Sequence, residues 1–150
     1  MSERKTAATA PRRSYVPGDF GLKIKRSSAG MGLFAALPIP KGACVVEYTG
    51  RTLDKGEEYT VRSKYLFEVT RNKTIDGSPR SNLARYINHS CRPNCEPEIH
   101  KGRVFIFAKR AIKPGEELAY NYGPEYFKDF IAPHGCRCAK CAAGKGRAPE

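Results

Sequence analysis

Between Leu22 and Tyr122 the apolar positions come in short runs separated by glycine, proline and polar turns, a rhythm that suits strands rather than helices. Gly32-Leu33-Phe34-Ala35-Ala36 reads as one strand, and the turn Pro40-Lys41-Gly42 leads into the apolar run Cys44-Val45-Val46-Glu47-Tyr48. A matching turn, Lys113-Pro114-Gly115, precedes Glu117-Leu118-Ala119-Tyr120. Tyr65-Leu66-Phe67-Glu68-Val69 is a further strand, and Val104-Phe105-Ile106-Phe107-Ala108 is apolar on both faces, which predicts an interior one. Helical signal is thin. Residues 81–87 could form two turns from a serine cap at Ser81, just after Pro79, and residues 54–63 are a weaker candidate. The pattern predicts a mostly-β domain of several small sheets with short helices inserted, and no internal repeat is visible.

A chain of 150 residues is long enough for one domain with a real core. Its charge is lopsided, with 27 Lys and Arg against 15 Asp and Glu, a net +12. Seven of those cations lie within residues 1–26, where only Glu3 and Asp19 oppose them. Residues 1–20, rich in Ala, Thr, Arg and Pro and without periodicity, are expected to form a basic flexible arm. Such an arm is a candidate for contact with nucleic acid or an acidic protein surface, and equally suits a solvated tail. No apolar run reaches the roughly 20 residues of a membrane helix, and no apolar signal segment follows the first charges. Six cysteines without such a segment point to reduced thiols, hence to metal binding or catalysis, and to an intracellular protein.

Three short stretches carry the chemistry. Asn88-His89-Ser90-Cys91-Arg92-Pro93-Asn94-Cys95 supplies hydrogen-bonding groups and thiols, and Glu117-Leu118-Ala119-Tyr120-Asn121-Tyr122-Gly123 supplies closely spaced tyrosines. Cys136-Arg137-Cys138-Ala139-Lys140-Cys141 places three thiols near one point, and zinc would need a fourth soft ligand, which Cys91 or Cys95 can supply. A closed four-thiol site leaves no open position for substrate, so the metal would clasp the tail rather than react. Ala29-Gly30-Met31-Gly32 lacks the third glycine of a dinucleotide fingerprint, but lets backbone approach a ligand. Tyr120 and Tyr122 share one strand face, and with Asn88 and His89 would make an aromatic slot ending in hydroxyls, suited to a lysine stem and amine.

The run Arg85-Tyr86-Ile87-Asn88-His89-Ser90-Cys91 together with Gly115 to Gly123 resembles the two signature motifs of the SET-domain protein lysine methyltransferases. The flanks agree: residues 29–34 resemble the family's N-terminal cofactor loop, Val46-Glu47-Tyr48-Thr49-Gly50 the strand that follows, Tyr65-Leu66-Phe67 the insert, and Cys136 to Cys141 the post-SET tail. The resemblance covers about residues 21–142, which divides the chain into the arm 1–20, a SET domain 21–124 and a post-SET zinc-binding tail 125–150. It implies a β-fold of small sheets with a C-terminal pseudoknot that brings the two motifs together. It further implies S-adenosylmethionine bound by Ala29, Met31, Tyr65, Asn88, His89 and Arg137, a catalytic Tyr122, and structural zinc on Cys91, Cys136, Cys138 and Cys141. Tyr48 and Tyr120 would line the substrate-lysine channel.

The implied activity is methyl transfer from S-adenosylmethionine to a lysine of a histone or another basic protein, DNA-binding or ribosomal. Tyr120, two before the catalytic tyrosine, biases the product to mono- or dimethyl-lysine. The location would be the nucleus or chromosome in a eukaryote and the cytoplasm in a bacterium. Two departures stand out: the tail spacing Cys-x-Cys-x2-Cys is shorter than is common in the family, and no cysteine-rich segment precedes the domain. A catalytically silent SET-like module on chromatin or nucleic acid, and a basic zinc-knuckle-like nucleic-acid binder, are the competing readings. The intact Asn88-His89 pair with Tyr122 weighs against the first, and the lack of a tail histidine against the second.

Overall fold

The computed structural model describes residues 13–57, 60–61, 63–136 and 138. Ten short strands make up most of its regular structure. A hairpin pairs β1 (Lys23–Ser27) with β2 (Gly30–Phe34) antiparallel. A three-stranded antiparallel sheet has β9 (Arg103–Ala108) between β3 (Cys44–Tyr48) and β8 (Cys95–His100). A second antiparallel sheet places β6 (Lys73–Asp76) between β4 (Arg51–Asp54) and β5 (Leu66–Thr70). Finally, β7 (Asn88–His89) pairs in parallel with β10 (Ala119–Tyr120), Asn88 opposite Ala119 and His89 opposite Tyr120. The two signature stretches, some thirty residues apart along the chain, thus lie side by side.

Alternation along β9 accounts for its apolar character. Val104, Ile106 and Ala108 turn to the main core with Leu33, Val45, Ile87 and Leu118, while Phe105 and Phe107 join Cys44 on the opposite face. That second face is covered by residues expected to belong to a free arm. The Tyr15 ring meets Phe105 and Phe107 edge-on at 5.3 and 5.4 Å and stacks on His100 at 3.8 Å. Its hydroxyl donates to Glu98 at 2.8 Å, and Arg13 pairs with Glu96 at 3.2 Å and with Glu98. Arg13 and Tyr15 are therefore packed on the fold, covering a sheet whose two faces are both apolar.

Several boundaries differ from expectation. The strand expected over residues 32–36 begins at Gly30, because β1 pairs with it from Ser27 onward. The strand expected from Glu117 shrinks to Ala119–Tyr120, since Glu117 makes only an isolated bridge to Phe34 and turns its carboxylate to Asn88. The helix expected over residues 81–87 is a single 3-10 turn, Leu83–Tyr86, preceded by Asn82 with no side-chain cap. Asn82 is fully buried and occupied elsewhere: its carbonyl oxygen accepts from Thr49 N–H at 3.0 Å and its amide donates to Gly77 O at 3.0 Å. Gly77 is required there, as a Cβ would lie 2.5 Å from the Tyr48 ring and 2.6 Å from that amide. Within 54–63, Glu57 opens a short 3-10 segment, its carbonyl accepting from Thr60 N–H at 2.9 Å and Val61 N–H at 3.2 Å, and residues 58, 59 and 62 lie outside the described residues.

Candidate functional site

The β7–β10 pair is the floor of a cleft of about 810 Å³. Asn94 fixes β10 in place: buried, it donates to Glu117 O at 2.9 Å and accepts from Ala119 N–H at 2.9 Å. The Asn88 amide donates to Met31 O at 3.0 Å, Ser27 Oγ at 3.2 Å and Glu117 Oε2 at 2.8 Å, tying the floor to the β1–β2 hairpin. Gly32 belongs to this tie, because a Cβ there would run into the Glu117 carboxylate. Ala29 and Met31, on the hairpin, and Tyr65, at the entry to β5, line the same cleft as Asn88 and His89.

Aromatic rings fill one end. Tyr120 and Tyr122 lie 5.0 Å apart, and Tyr126 meets Tyr122 edge-on at 4.9 Å. The Tyr48 hydroxyl donates to Tyr65 O at 2.6 Å, Tyr126 to Lys64 O at 3.2 Å, and Tyr122 to Ile87 O. With its proton so directed, the Tyr122 oxygen keeps its lone pairs for a donor in the cleft. Burial pushes the phenols of Tyr48, Tyr120 and Tyr122 above the ordinary tyrosine value of 10.0, so all three are neutral hydroxyls at physiological pH.

His89 joins this aromatic end to the thiols. Burial lowers its pKa, which favours the neutral ring, and Nδ1 accepts the Tyr122 N–H at 3.1 Å. The ring proton of that tautomer sits on Nε2, 3.5 Å from Cys91 Sγ. Cys91 Sγ is in turn 3.9 Å from Cys136 Sγ, and the three atoms lie within 4.8 Å of one another. Two thiolates bound to one tetrahedral zinc at about 2.3 Å stand about 3.8 Å apart, so the Cys91–Cys136 spacing fits that metal. His89, with its proton on Nε2, suits a hydrogen bond to a bound thiolate better than a ligand's place. Cys138 is buried beside the cleft. Cys95 points into the core, with burial raising its thiol to about 12, and so stands apart from this cluster. Cys141 and Arg137 lie outside the described residues.

The family model for the SET domain matches residues 30–123. The chain belongs to the SET-domain family. Histone-lysine N-methyltransferase ASHH1 of Arabidopsis thaliana is 37% identical over 136 residues, 82% of this chain and 28% of that protein. Histone-lysine N-methyltransferase trr of Drosophila melanogaster is 41% identical over 105 residues, 62% of this chain and 4% of that protein. The chain thus spans only a small part of these relatives. Among solved structures, the polycomb repressive complex 2 of Chaetomium thermophilum matches at a TM-score of 0.66 and 30% identity, over 77% of this chain and 16% of that one. KRYPTONITE, in complex with mCHH DNA, an H3(1-15) peptide and SAH, matches at 0.60 and 34%, over 71% and 24%.

Every expected site residue of the SET domain that the structure describes therefore meets at one cleft or at the thiols beside it. Two contributors escaped the sequence reading. Tyr126 had no signal beyond its place three residues after Gly123. Arg85 had one: it is the cation within the first signature run, three residues before Asn88. Its guanidinium lies 4.3 Å from the Tyr65 ring, and its Nε is buried in the cleft wall with no hydrogen-bond partner.

Proposed function

We propose that this SET domain is a protein-lysine N-methyltransferase that uses S-adenosylmethionine. The observation that carries the reading is the slot of Tyr48, Tyr120, Tyr122 and Tyr126, with neutral hydroxyls, opening onto the same cleft as Asn88, His89 and the Ala29–Met31 hairpin. When bound, S-adenosylmethionine supplies a methyl group activated by the sulfonium. The residues present suit its zwitterionic end, because Arg85 offers an unpaired buried N–H for a carboxylate, and the Met31 and Asn88 region offers backbone and amide groups.

A lysine entering the slot arrives as an ammonium with an ordinary pKa near 10.4. Loss of water between the tyrosine rings and the nearby Arg85 charge both favour the neutral amine. No carboxylate lines the cleft among the described residues, and the acceptor nitrogen of His89 is already taken by Tyr122 N–H. The proton therefore leaves to water. Tyr122 holds the amine through the lone pairs left on its hydroxyl, and alignment of the reacting groups supplies most of the acceleration. Tyr120 narrows the slot beside it and supports a mono- or dimethyl product; efficient trimethylation seen by mass spectrometry would count against that role.

The thiols of Cys91, Cys136 and Cys138, with Cys141, suit a structural zinc that ties the tail over the cleft, with His89 donating to one of them. Metal analysis of the purified protein should give about one zinc per chain, released on thiol modification. The deciding experiment on function is incubation with labelled S-adenosylmethionine and a panel of histones, ribosomal proteins and basic DNA-binding proteins. Label on a protein lysine is expected; DNA retention without label would favour a silent binding module. A histone target would place the protein on chromatin in a eukaryote.

A further inference from the structure

The cleft wall that carries Lys64 and Tyr65 has no strand of its own. Residues 63–65 precede β5 and belong to no ladder, yet two slot hydroxyls end on their carbonyls: Tyr126 donates to Lys64 O and Tyr48 to Tyr65 O. Tyr65 O also accepts from Gly77 N–H at 2.8 Å, and the Tyr65 ring carries the Arg85 guanidinium at 4.3 Å. Tyr48, Tyr65, Arg85 and Tyr126 therefore depend on one short segment outside the regular structure.

What fastens that segment is a chain of hydrogen bonds ending on Asp76. Tyr65 N–H donates to Ser63 Oγ at 3.0 Å, and the Ser63 hydroxyl gives its proton to Asp76 Oδ1 at 3.0 Å. Asp76 is the last residue of β6 and stands opposite Leu66, the first of β5, so sheet pairing delivers its side chain to this spot. The same Oδ1 accepts Ser78 N–H at 3.1 Å, a turn contact that fixes the carboxylate from its own loop. That loop is pinned in turn by the buried Asn82, which receives Thr49 N–H and donates to Gly77 O. Hydrogen bonds in series polarise one another, and those to a carboxylate are stronger than neutral pairs. Asp76 has no cation partner among the described residues, so its carboxylate serves these neutral donors. Burial and then the Asp76 charge raise the Tyr48 phenol above its ordinary value, which puts this carboxylate within electrostatic reach of the slot.

We infer that Asp76 is a positioning residue for the methyl-transfer site, acting through Ser63 on the Lys64–Tyr65 segment. The inference rests on the S-adenosylmethionine-dependent reading above. Asp76 is not among the residues that line the cleft, so it acts through its hydrogen bonds rather than on a reactant. The chain sets the Tyr65 main chain, the Tyr65 ring packs on Arg85, and Arg85 is the group offered to the cofactor's carboxylate. Without Asp76, Tyr48 and Tyr126 keep their hydroxyls but lose fixed carbonyls to donate to. These contacts exist whether or not a methyl is moving, so their loss is read as weaker binding.

Asp76→Ala, Ser63→Ala, the double variant and Asp76→Asn test this on the intact chain, well below the melting temperature. Exchange of the Tyr65 amide is followed by NMR without ligand, and S-adenosylmethionine affinity by calorimetry. Asp76→Ala should speed exchange at Tyr65 about tenfold and weaken the cofactor about five- to tenfold, as expected for one lost hydrogen bond. Ser63→Ala, a milder change at a half-buried position off the sheets, should do the same, and the double variant no more than either single one. Asp76→Asn keeps an acceptor oxygen for Ser63 and Ser78 and should restore affinity to within about twofold of the wild type. A lower melting temperature with exchange and affinity both unchanged would reduce Asp76 to a stability role and overturn the inference. So would an Asp76→Asn variant as weak as Asp76→Ala, since charge rather than hydrogen bonding would then be acting. A wild-type chain that binds no S-adenosylmethionine, but whose Tyr65 exchange still responds to Asp76, would sink the methyltransferase reading and leave the positioning of Tyr65 standing.

Discussion

The two walls of the cleft are built in different ways. The motif wall is fixed by main-chain and buried amide hydrogen bonds: β7 against β10, Asn94 on Glu117 and Ala119, and Asn88 on Met31. The tail wall, from Pro124 to Cys138, passes through an α-helical turn at Pro124–Tyr126, a π turn at Phe127–Ile131 and a 3-10 turn at Ala132–His134. It meets the rest of the molecule chiefly through side chains, with Tyr126 on Lys64 O and Tyr122, Phe127 on His89, and Cys136 on Cys91. A wall made of backbone pairing comes with folding. A wall made of ring contacts and thiols depends on those side chains.

The largest effect should come from the motif wall's chemistry. Tyr122→Phe removes the hydroxyl proposed to hold the amine but leaves the ring contacts, and turnover should fall about 10²- to 10⁴-fold. Cofactor affinity by calorimetry should stay within about threefold; a parallel loss of binding would mean that Tyr122 shapes the wall rather than orienting substrate. Removing the proposed zinc with a chelator, or Cys136→Ser, should loosen only the tail. Cofactor affinity should then drop about 10- to 100-fold, while thermal unfolding of the sheets followed by circular dichroism moves little. Collapse of both together would erase the distinction between the walls.

Asn94→Ala probes the motif wall's construction by leaving the half-buried Ala119 N–H and Glu117 C=O without these partners. Unfolding in urea should show a loss of about 2–4 kcal/mol. The smallest effect is a pH signature. The buried phenols of Tyr120 and Tyr122 have folded-state pKa values above the unfolded value near 10, so the stability they contribute is fully present below pH 10 and is lost as pH rises further. The melting temperature should be flat up to about pH 10 and then decline, and Tyr120→Phe should soften the decline. Activity should show no falling limb at the ordinary tyrosine pKa.

Much of the motif wall was legible because its residues are unusual for their positions. Cys44–Tyr48 has the expected bounds, and the apolar faces of residues 104–108 turned out to be two cores. Asn88, His89, Tyr120 and Tyr122 were readable because adjacent polar and aromatic groups on short strands have little use in a plain core. What escaped was anything set by partners distant in sequence. Ser81 looks like a cap, but it is Asn82 that precedes the turn, and its amide is spent on Thr49 and Gly77. Arg13 and Tyr15 read as arm because nothing local announces that Glu96, Glu98 and Phe107 await them. Tyr126 was missed for the same reason, since its role depends on Lys64 O, 62 residues earlier.

The parallel pairing of β7 with β10 also sets a schedule. Asn88 waits for Ala119, and His89 for the Tyr122 amide, so the floor of the cleft cannot close until residues 119–122 have left the ribosome. Contacts this far apart in sequence are slow to form, and a chain halted before residue 119 would expose the apolar strands whose partners are missing. Premature release should therefore yield an aggregation-prone species, which makes the emergence of residues 119–122 the commitment point of folding.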